Sequence, residues 1–235
     1  MTRPGKKPAA HRPMQGGGER YEKVARKPPS PEELILDARK ERIDAVLDGR
    51  TRNLCVVLDR LEDSFNMAAV LRTSEAYGIQ DIHVVKNPEY PWSPNHTVTQ
   101  GCDKWLDLHR HDDWAACHRS LKGAGFKIYV SAVREGAQSL FDLDFSGRCA
   151  LVFGNERHGV SDEVLAGADQ VFWIPMRGFT RSLNISAAAS AAITRAVAWR
   201  KERLGVEGDL TDVERAALRA RFLELSVKQR RKLYG

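Results

Sequence analysis

No apolar run in the 235 residues approaches the ~20 that a membrane-crossing helix needs. The N-terminal stretch is basic but lacks the apolar core of a secretory signal, so a cytoplasmic chain is expected. Cysteine is scarce. Cys55, Cys102, Cys117 and Cys149 form no CxxC pair, and two of them, Cys55 and Cys149, lie inside apolar strand-like runs. Free, buried thiols in a reducing compartment are the expectation. No GxGxxG follows the first apolar strand, which argues against a dinucleotide-binding oxidoreductase. His109, His111 and His118 stand near Cys102 and Cys117, but the spacing fits no standard zinc pattern, and no metal is expected. No internal repeat is present.

What the chain does have is positive charge at its two ends. The net charge is +6. Residues 1–30 hold eight Lys/Arg against two Asp/Glu, and residues 200–235 hold ten against six. The body between them, 31–199, carries nineteen basic and twenty-three acidic side chains, a balance of −4. Basic flanks on a mildly acidic body suit an anionic polymer such as RNA, because each neutralised phosphate releases counterions. A solvated tail that aids solubility accounts for the charge equally well.

Residues 1–29, rich in Lys, Arg, Pro and Gly, are expected to be a disordered arm. Ser30-Pro31-Glu32-Glu33 reads as a helix start with a capping box, ahead of an apolar stripe from Leu34 to Leu47. This predicts a helical extension over 30–50. A core over 51–205 follows, in which strands and helices alternate. Strands are expected at Asn53–Leu58, Ile82–Val85, Trp105–His109, Phe126–Val133, Cys149–Phe153 and Val171–Ile174. Helices are expected at Met67–Tyr77, from an Asp112 cap to Gly123, after Ser161, and at Ile185–Leu204. Residues 87–104 read as a long polar loop. This alternation predicts an α/β fold, a parallel sheet with helices on both faces. Thr211-Asp212-Val213-Glu214 is a second capping box and opens a basic C-terminal helix within 206–235 that carries Arg230, Arg231 and Lys232.

Three constellations stand out. Asn66 and Arg72 lie six positions apart just after the first strand, with Ala68 and Ala69 between them. A capped amphipathic helix with a surface arginine also explains this spacing. Phe153-Gly154-Asn155-Glu156-Arg157-His158-Gly159 follows a buried strand, where loops in open α/β sheets bind ligands. A tight strand–helix connection capped by Ser161 is the plainer alternative. Ile174-Pro175-Met176-Arg177-Gly178-Phe179-Thr180-Arg181-Ser182-Leu183-Asn184 leads from a strand into a helix start dense in Ser and Ala. An alanine-rich core helix explains part of that segment, but not Ser182 and Asn184 together.

In this order and context the three segments resemble the SPOUT RNA 2′-O-methyltransferases, in the branch that methylates guanosine 18 of tRNA. The likeness spans roughly 50–204, and Gly101-Cys102-Asp103-Lys104-Trp105 also fits that branch. The resemblance implies a trefoil knot near the C-terminal end of the core, S-adenosylmethionine as cofactor, tRNA as substrate and a homodimer with the active site at the subunit interface. It assigns Ser131, Gly154, Ile174, Met176 and Leu183 to the cofactor. It gives Arg72 the activation of the ribose hydroxyl, either as a base or as a cation holding the phosphate and the developing alkoxide. Glu156, Ser182 and Asn184 are then expected to hold the RNA and the Arg72 side chain, and Asn66 to help complete a site formed with the partner chain. Basic candidates for phosphate contacts are the two tails with Arg157, Arg177 and Arg181. Tyr90 and Trp92 are candidates to stack on an unpaired base, or to pack over the sheet edge. One departure is the middle of the long helix, where related enzymes often carry a glutamate and this chain has Ile193-Thr194-Arg195-Ala196. The competing readings are a ribosomal 23S RNA ribose methyltransferase and a non-catalytic RNA-binding factor on the same scaffold. The short stretch before residue 50 argues against the first. The joint presence of Asn66, Arg72, Glu156, Ser182 and Asn184 argues against the second.

Overall fold

The computed structural model describes residues 30–90 and 92–234, the stretch 229–234 by its backbone alone. The arm expected over 1–29 and the side chains of Arg230, Arg231 and Lys232 lie outside the described residues.

Among the described residues seven parallel strands form one sheet: β1 (Thr51–Asp59), β2 (Ile79–Val85), β3 (Asp107–His111), β4 (Lys127–Ser131), β5 (Gln138–Ser139), β6 (Cys149–Phe153) and β7 (Gln170–Trp173). Their order is β3-β2-β1-β6-β4-β7-β5. The helices are α1 (Asp37–Asp48), α2 (Ser64–Ala76), α3 (His96–Thr99), α4 (Trp114–Gly123), α5 (Asp162–Ala166), α6 (Ile185–Leu204) and α7 (Asp212–Tyr234).

Alternate residues of the central strands go to opposite faces. Leu54, Val56 and Leu58 pack with Met67, Val70 and Leu71 of α2 and with Ala189, Ala192, Ile193 and Ala196 of α6. Cys55 and Val57 pack with Trp114, Cys117 and Leu121 of α4 and with Val164 of α5. Both faces are therefore buried, which is why these strands read as continuous apolar runs. Each buried Leu, Val, Ile or Met among them contributes about 1.5–3 kcal/mol relative to exposure. The four cysteines are free, and Cys55, Cys117 and Cys149 are buried. A third cluster joins Ile43 and Leu47 of α1 to Leu218, Phe222 and Leu223 of α7.

Several boundaries differ from the sequence expectation. The Ser30–Glu33 box forms its two hydrogen bonds, at 2.7 and 3.4 Å, but closes only a turn. The helix starts at Asp37 after an extended Leu36, because Ile35 is drawn into the α1–α7 cluster. Trp105 is not in a strand. It ends a 3₁₀ turn, Cys102–Trp105, and meets Phe222 edge-on at 5.0 Å, so β3 begins two residues later. The 87–104 loop contains α3, capped by Asn95. Asp113, not Asp112, caps α4, because Asp112 is paired with Lys86. β4 stops at Ser131, short of the expected Val133. The two-residue β5 was not foreseen.

Candidate active site

The carboxyl ends of β4, β6 and β7 open onto one cavity. Beyond β6 the chain turns tightly on itself. A Cβ on Gly154 would lie 2.5 Å from the carbonyl carbon and oxygen of Gly159, so only glycine fits. Gly159 has φ +67°, a left-handed conformation that costs glycine little. Asn155 and Gly159 exchange both backbone hydrogen bonds, each at 2.9 Å. The Asn155 side chain braces the loop from both sides. Its Oδ1 accepts from the amides of Arg157 (2.9 Å) and His158 (3.1 Å). Its Nδ2 donates to the Arg60 carbonyl and to Glu62 Oε1, both at 2.9 Å. Arg60 itself sits at φ +53°, with its carbonyl accepting from Asn87 Nδ2 as well. The sequence reading did not single out Asn155. An amide one residue past a strand-end glycine was the local signal, but its partners lie more than ninety residues away.

Glu156 ties this loop to the start of α2. Its carboxylate accepts from the backbone amides of Glu62 (3.2 Å) and Asp63 (3.4 Å) and from Asn66 Nδ2 (3.2 Å). Asn66 Oδ1 in turn accepts from Asn184 Nδ2 at 3.0 Å. Asn184 Oδ1 caps α6 through the Ser186 amide at 2.9 Å. Asp63 caps α2 through Phe65 and Asn66. Two helix starts and one loop are thus locked together by a single chain of side-chain hydrogen bonds. The close approach of α2 and α6 depends on small residues, and Thr73 and Ser190 bridge the two helices through their hydroxyls at 3.1 Å.

The cavity they enclose has a volume of about 880 Å³, within the range of small-molecule sites. All five residues expected at the cofactor, Ser131, Gly154, Ile174, Met176 and Leu183, line it, as do Asn66, Glu156, Ser182 and Asn184. Asn66 therefore joins the cavity of its own chain. Arg72 does not line the cavity. It is exposed on α2, and its Nη1 donates to the Val98 carbonyl at 3.3 Å. Arg157 and Arg181 are on the cavity wall, and Arg157 lies 3.6 Å from Glu62. Arg177 is exposed nearby in sequence. Of the two loop aromatics, Tyr90 lines the cavity, whereas Trp92 packs against the main core.

Comparison with known proteins places this geometry in context. The model of the SpoU rRNA Methylase family matches residues 53–194. A tRNA (guanosine(18)-2′-O)-methyltransferase of Thermus thermophilus is 38% identical over 160 residues, covering 68% of this chain and 82% of the relative. The enzyme of the same name from Borreliella burgdorferi is 33% identical over 196 residues, covering 83% and 88%. Among solved structures, the TrmH/SpoU tRNA modifying enzyme of A. aeolicus superposes with a TM-score of 0.74 at 27% identity, over 81% of this chain and 97% of that one.

Proposed function

The chain belongs to the SpoU rRNA Methylase family, and from that premise we propose that it transfers a methyl group from S-adenosylmethionine to the ribose 2′-hydroxyl of guanosine 18 in the D-loop of tRNA. The observation that carries this reading is the convergence of Asn66, Glu156, Ser182, Asn184 and the five cofactor candidates on one cavity at the strand ends. The substrate follows the relatives named for guanosine 18 of tRNA. The lining suits the cofactor. Ile174, Met176 and Leu183 offer an apolar wall for an adenine ring, and Glu62, Asp63 and Glu156 bring carboxylates to a cavity whose ligand is a sulfonium cation.

When bound, the cofactor supplies an electrophilic methyl group; the chain must orient the hydroxyl and stabilise its oxygen as the proton leaves. Arg72 acts on that oxygen in one of two ways: it takes the hydroxyl proton, or it grips the neighbouring phosphate and the developing alkoxide while the proton passes to solvent. Asn66 and Glu156 hold α2, and with it Arg72, in register with the cofactor loop. Arg72 is exposed and off the cavity of its own chain, which supports a homodimer in which it reaches the cavity of a second copy. The exposed Phe65, Phe179, Leu183 and Val133 are suited to being covered in that assembly. The reading carries with it the family's trefoil knot and a cytoplasmic location; no described helix is long and apolar enough to cross a membrane. It also divides the chain into a basic arm over 1–29, a helical extension over 30–50, a core over 51–205 and a basic C-terminal helix over 206–235; the packing of α1 on α7 supports a unit outside the core.

The test is to incubate the protein with labelled cofactor and unmodified tRNA transcripts, and to map methylated riboses by nuclease digestion and mass spectrometry. One 2′-O-methylated guanosine in the D-loop, lost in Arg72→Ala, is expected. Methylation of ribosomal RNA fragments alone overturns the substrate. Cofactor binding without transfer to any RNA overturns the enzyme in favour of an RNA-binding factor.

A further inference from the structure

Away from the cavity, three metal-ligating side chains meet between the β2–β3 edge of the sheet and α4. In the parallel β2–β3 pair His83 lies opposite His109 and Val85 opposite His111, so residues 83, 109 and 111 share one face. α4 covers that face, and Cys117 points into it fully buried. One ligand atom from each of His83, His111 and Cys117 lies within 4.8 Å of the other two. His83 is 6% exposed and His111 half-buried, which leaves a path from solvent along the sheet edge.

The geometry of the two imidazoles is specific. His83 Nδ1 and His111 Nε2 are 3.0 Å apart, and the ring planes lie within 5° of one another. Two nitrogens bound to one tetrahedral Zn²⁺ at about 2.0–2.1 Å stand roughly 3.3 Å apart, so the imidazole pair is near that spacing, and the trio, now spread over as much as 4.8 Å, closes in around the ion. The His83 ring is fixed from behind. It stacks on His109 at 4.6 Å, and His109 is hydrogen-bonded to Asp81 at 2.7 Å, which Arg52 grips in turn. Burial, with His109 and His111 close by, lowers the His83 imidazole to about 4. Burial, with His109 again close by, also lowers His111. The surroundings are apolar: Cys55, Val57, Val85, Trp114 and Leu121 belong to the same cluster as Cys117. A plain hydrogen-bonded histidine pair over a buried thiol is the competing explanation, and it leaves unexplained why the third soft ligand stands at the same point.

We propose that His83, His111 and Cys117 form a binding site for one Zn²⁺-class cation, with the fourth position open to water, and that the ion pins α4 to the edge of the sheet. Two imidazoles and a thiolate are a donor set for a borderline-soft divalent ion, unlike the oxygen-rich sets that magnesium and calcium take. The hydrogen now lying between the two facing nitrogens moves to the far nitrogen of its own ring. The Cys117 thiol, pushed up to about 12 by burial, gives its proton to solvent. One proton is released per ion, since a thiol must ionise to ligate. The sequence places His111 near Cys117 but at a spacing no zinc motif has, which led to the expectation of no metal, and His83, on another strand, was not among the candidates. None of the three residues lines the active-site cavity, so the proposal stands or falls apart from the methyl-transfer reading.

The experiment uses the full untagged chain, stripped with a chelator and titrated with Co²⁺ under anaerobic, thiol-free conditions. Expected are tetrahedral cobalt bands with a thiolate charge-transfer band that saturates at one equivalent, displacement by Zn²⁺, and a melting temperature raised by Zn²⁺. Cys117→Ser should abolish the charge-transfer band, and His111→Gln should weaken Co²⁺ binding by about tenfold or more. Because His111 is half-exposed, its variant should melt near the stripped wild type even if the Cys117 change disturbs the core. No charge-transfer band, or a band that survives in Cys117→Ser because another thiol carries it, overturns the proposal. So does an unchanged affinity in a folded His111→Gln.

Discussion

At the amino ends of the parallel strands charged side chains face one another, whereas at the carboxyl ends they face an open cavity. Arg52 bridges Asp81 at 2.6 Å and Asp107 at 2.5 Å, and Arg221 closes on Asp107 from α7. Asp209 receives the Thr51 hydroxyl (2.7 Å), the Arg52 amide (3.2 Å) and Arg200 (2.9 Å). Arg200 also donates to the carbonyls of Phe145 and Gly147. Folding alone accounts for this end: each charge has a partner inside the chain. At the other end Glu156, Asn66 and Asn184 restrain one another, but Ser182, Leu183 and Arg181 stand exposed on the cavity rim and Phe179 is wholly exposed. Folding does not account for those side chains; the proposed ligand and second copy would. The comparison teaches that a charge's partner list separates stability from function even where composition cannot.

If that division is right, changes at the two ends fail in different ways. The largest effect expected is on transfer. Arg72→Ala should lower single-turnover methyl transfer by about 10³-fold, the scale of losing a charge-stabilising group, while cofactor affinity and melting temperature stay as they were. A matching loss of cofactor binding would mean that Arg72 supports the cavity rather than the reacting oxygen. Next in size is Asp209→Ala, which strands Arg200 and the Thr51 hydroxyl. Both partners of that ion pair are largely buried, with side chains 8% and 12% exposed, so urea denaturation should show a loss of about 3 kcal/mol with transfer by the folded fraction unchanged.

How far the sequence foretold these two ends differs as well. The strand Cys149–Phe153 and the helix Ile185–Leu204 were legible to the residue, because their limits are local chemistry: apolar runs for the strand, an Asn184 cap and a Gly205 at φ +70° for the helix. Where tertiary contacts override local preference, the reading slipped. The Ser30 box made its bonds without starting a helix, and Trp105 left its expected strand for the α1–α7 cluster. The motif residues on the cavity were found through resemblance, since nothing in their spacing shows that Asn66, Glu156 and Asn184 meet. Asn155 was missed for the same reason, its partners being set by the crossing of distant loops. The internal pairs at the amino ends, such as Arg52 with Asp81 and Asp107, were invisible because the β2–β3 register sets Asp81 beside Asp107 and Arg52 reaches both from a third strand.

A smaller effect sharpens the cavity side. Gly154→Ala puts a methyl group 2.5 Å from backbone atoms of Gly159, so the loop must open. Cofactor affinity, read by calorimetry, should fall about tenfold, with little change in melting temperature because the loop lies outside the core. An unchanged affinity would show that the loop's tight turn serves the fold and not the ligand.

The smallest effect tests the other end by pH. The hydrogen bond to Asp81 is the main reason His109 is raised above its ordinary value of 6.5, against the pull of burial. A raised group contributes stability that is complete below 6.5 and is lost as pH rises through the folded value. For Asp81, burial pushes upward, but His109 and Arg52 outweigh it and hold the carboxyl below 3.8. Its contribution is complete above 3.8 and is lost as pH falls through the folded value. The pair therefore acts fully between these limits. The melting-temperature gap between the wild type and His109→Ala should be widest near about pH 5 and shrink towards about pH 9. A gap independent of pH would mean that the ring contributes only its stacking on His83, and that the charges at this end are less tightly coupled than their geometry implies.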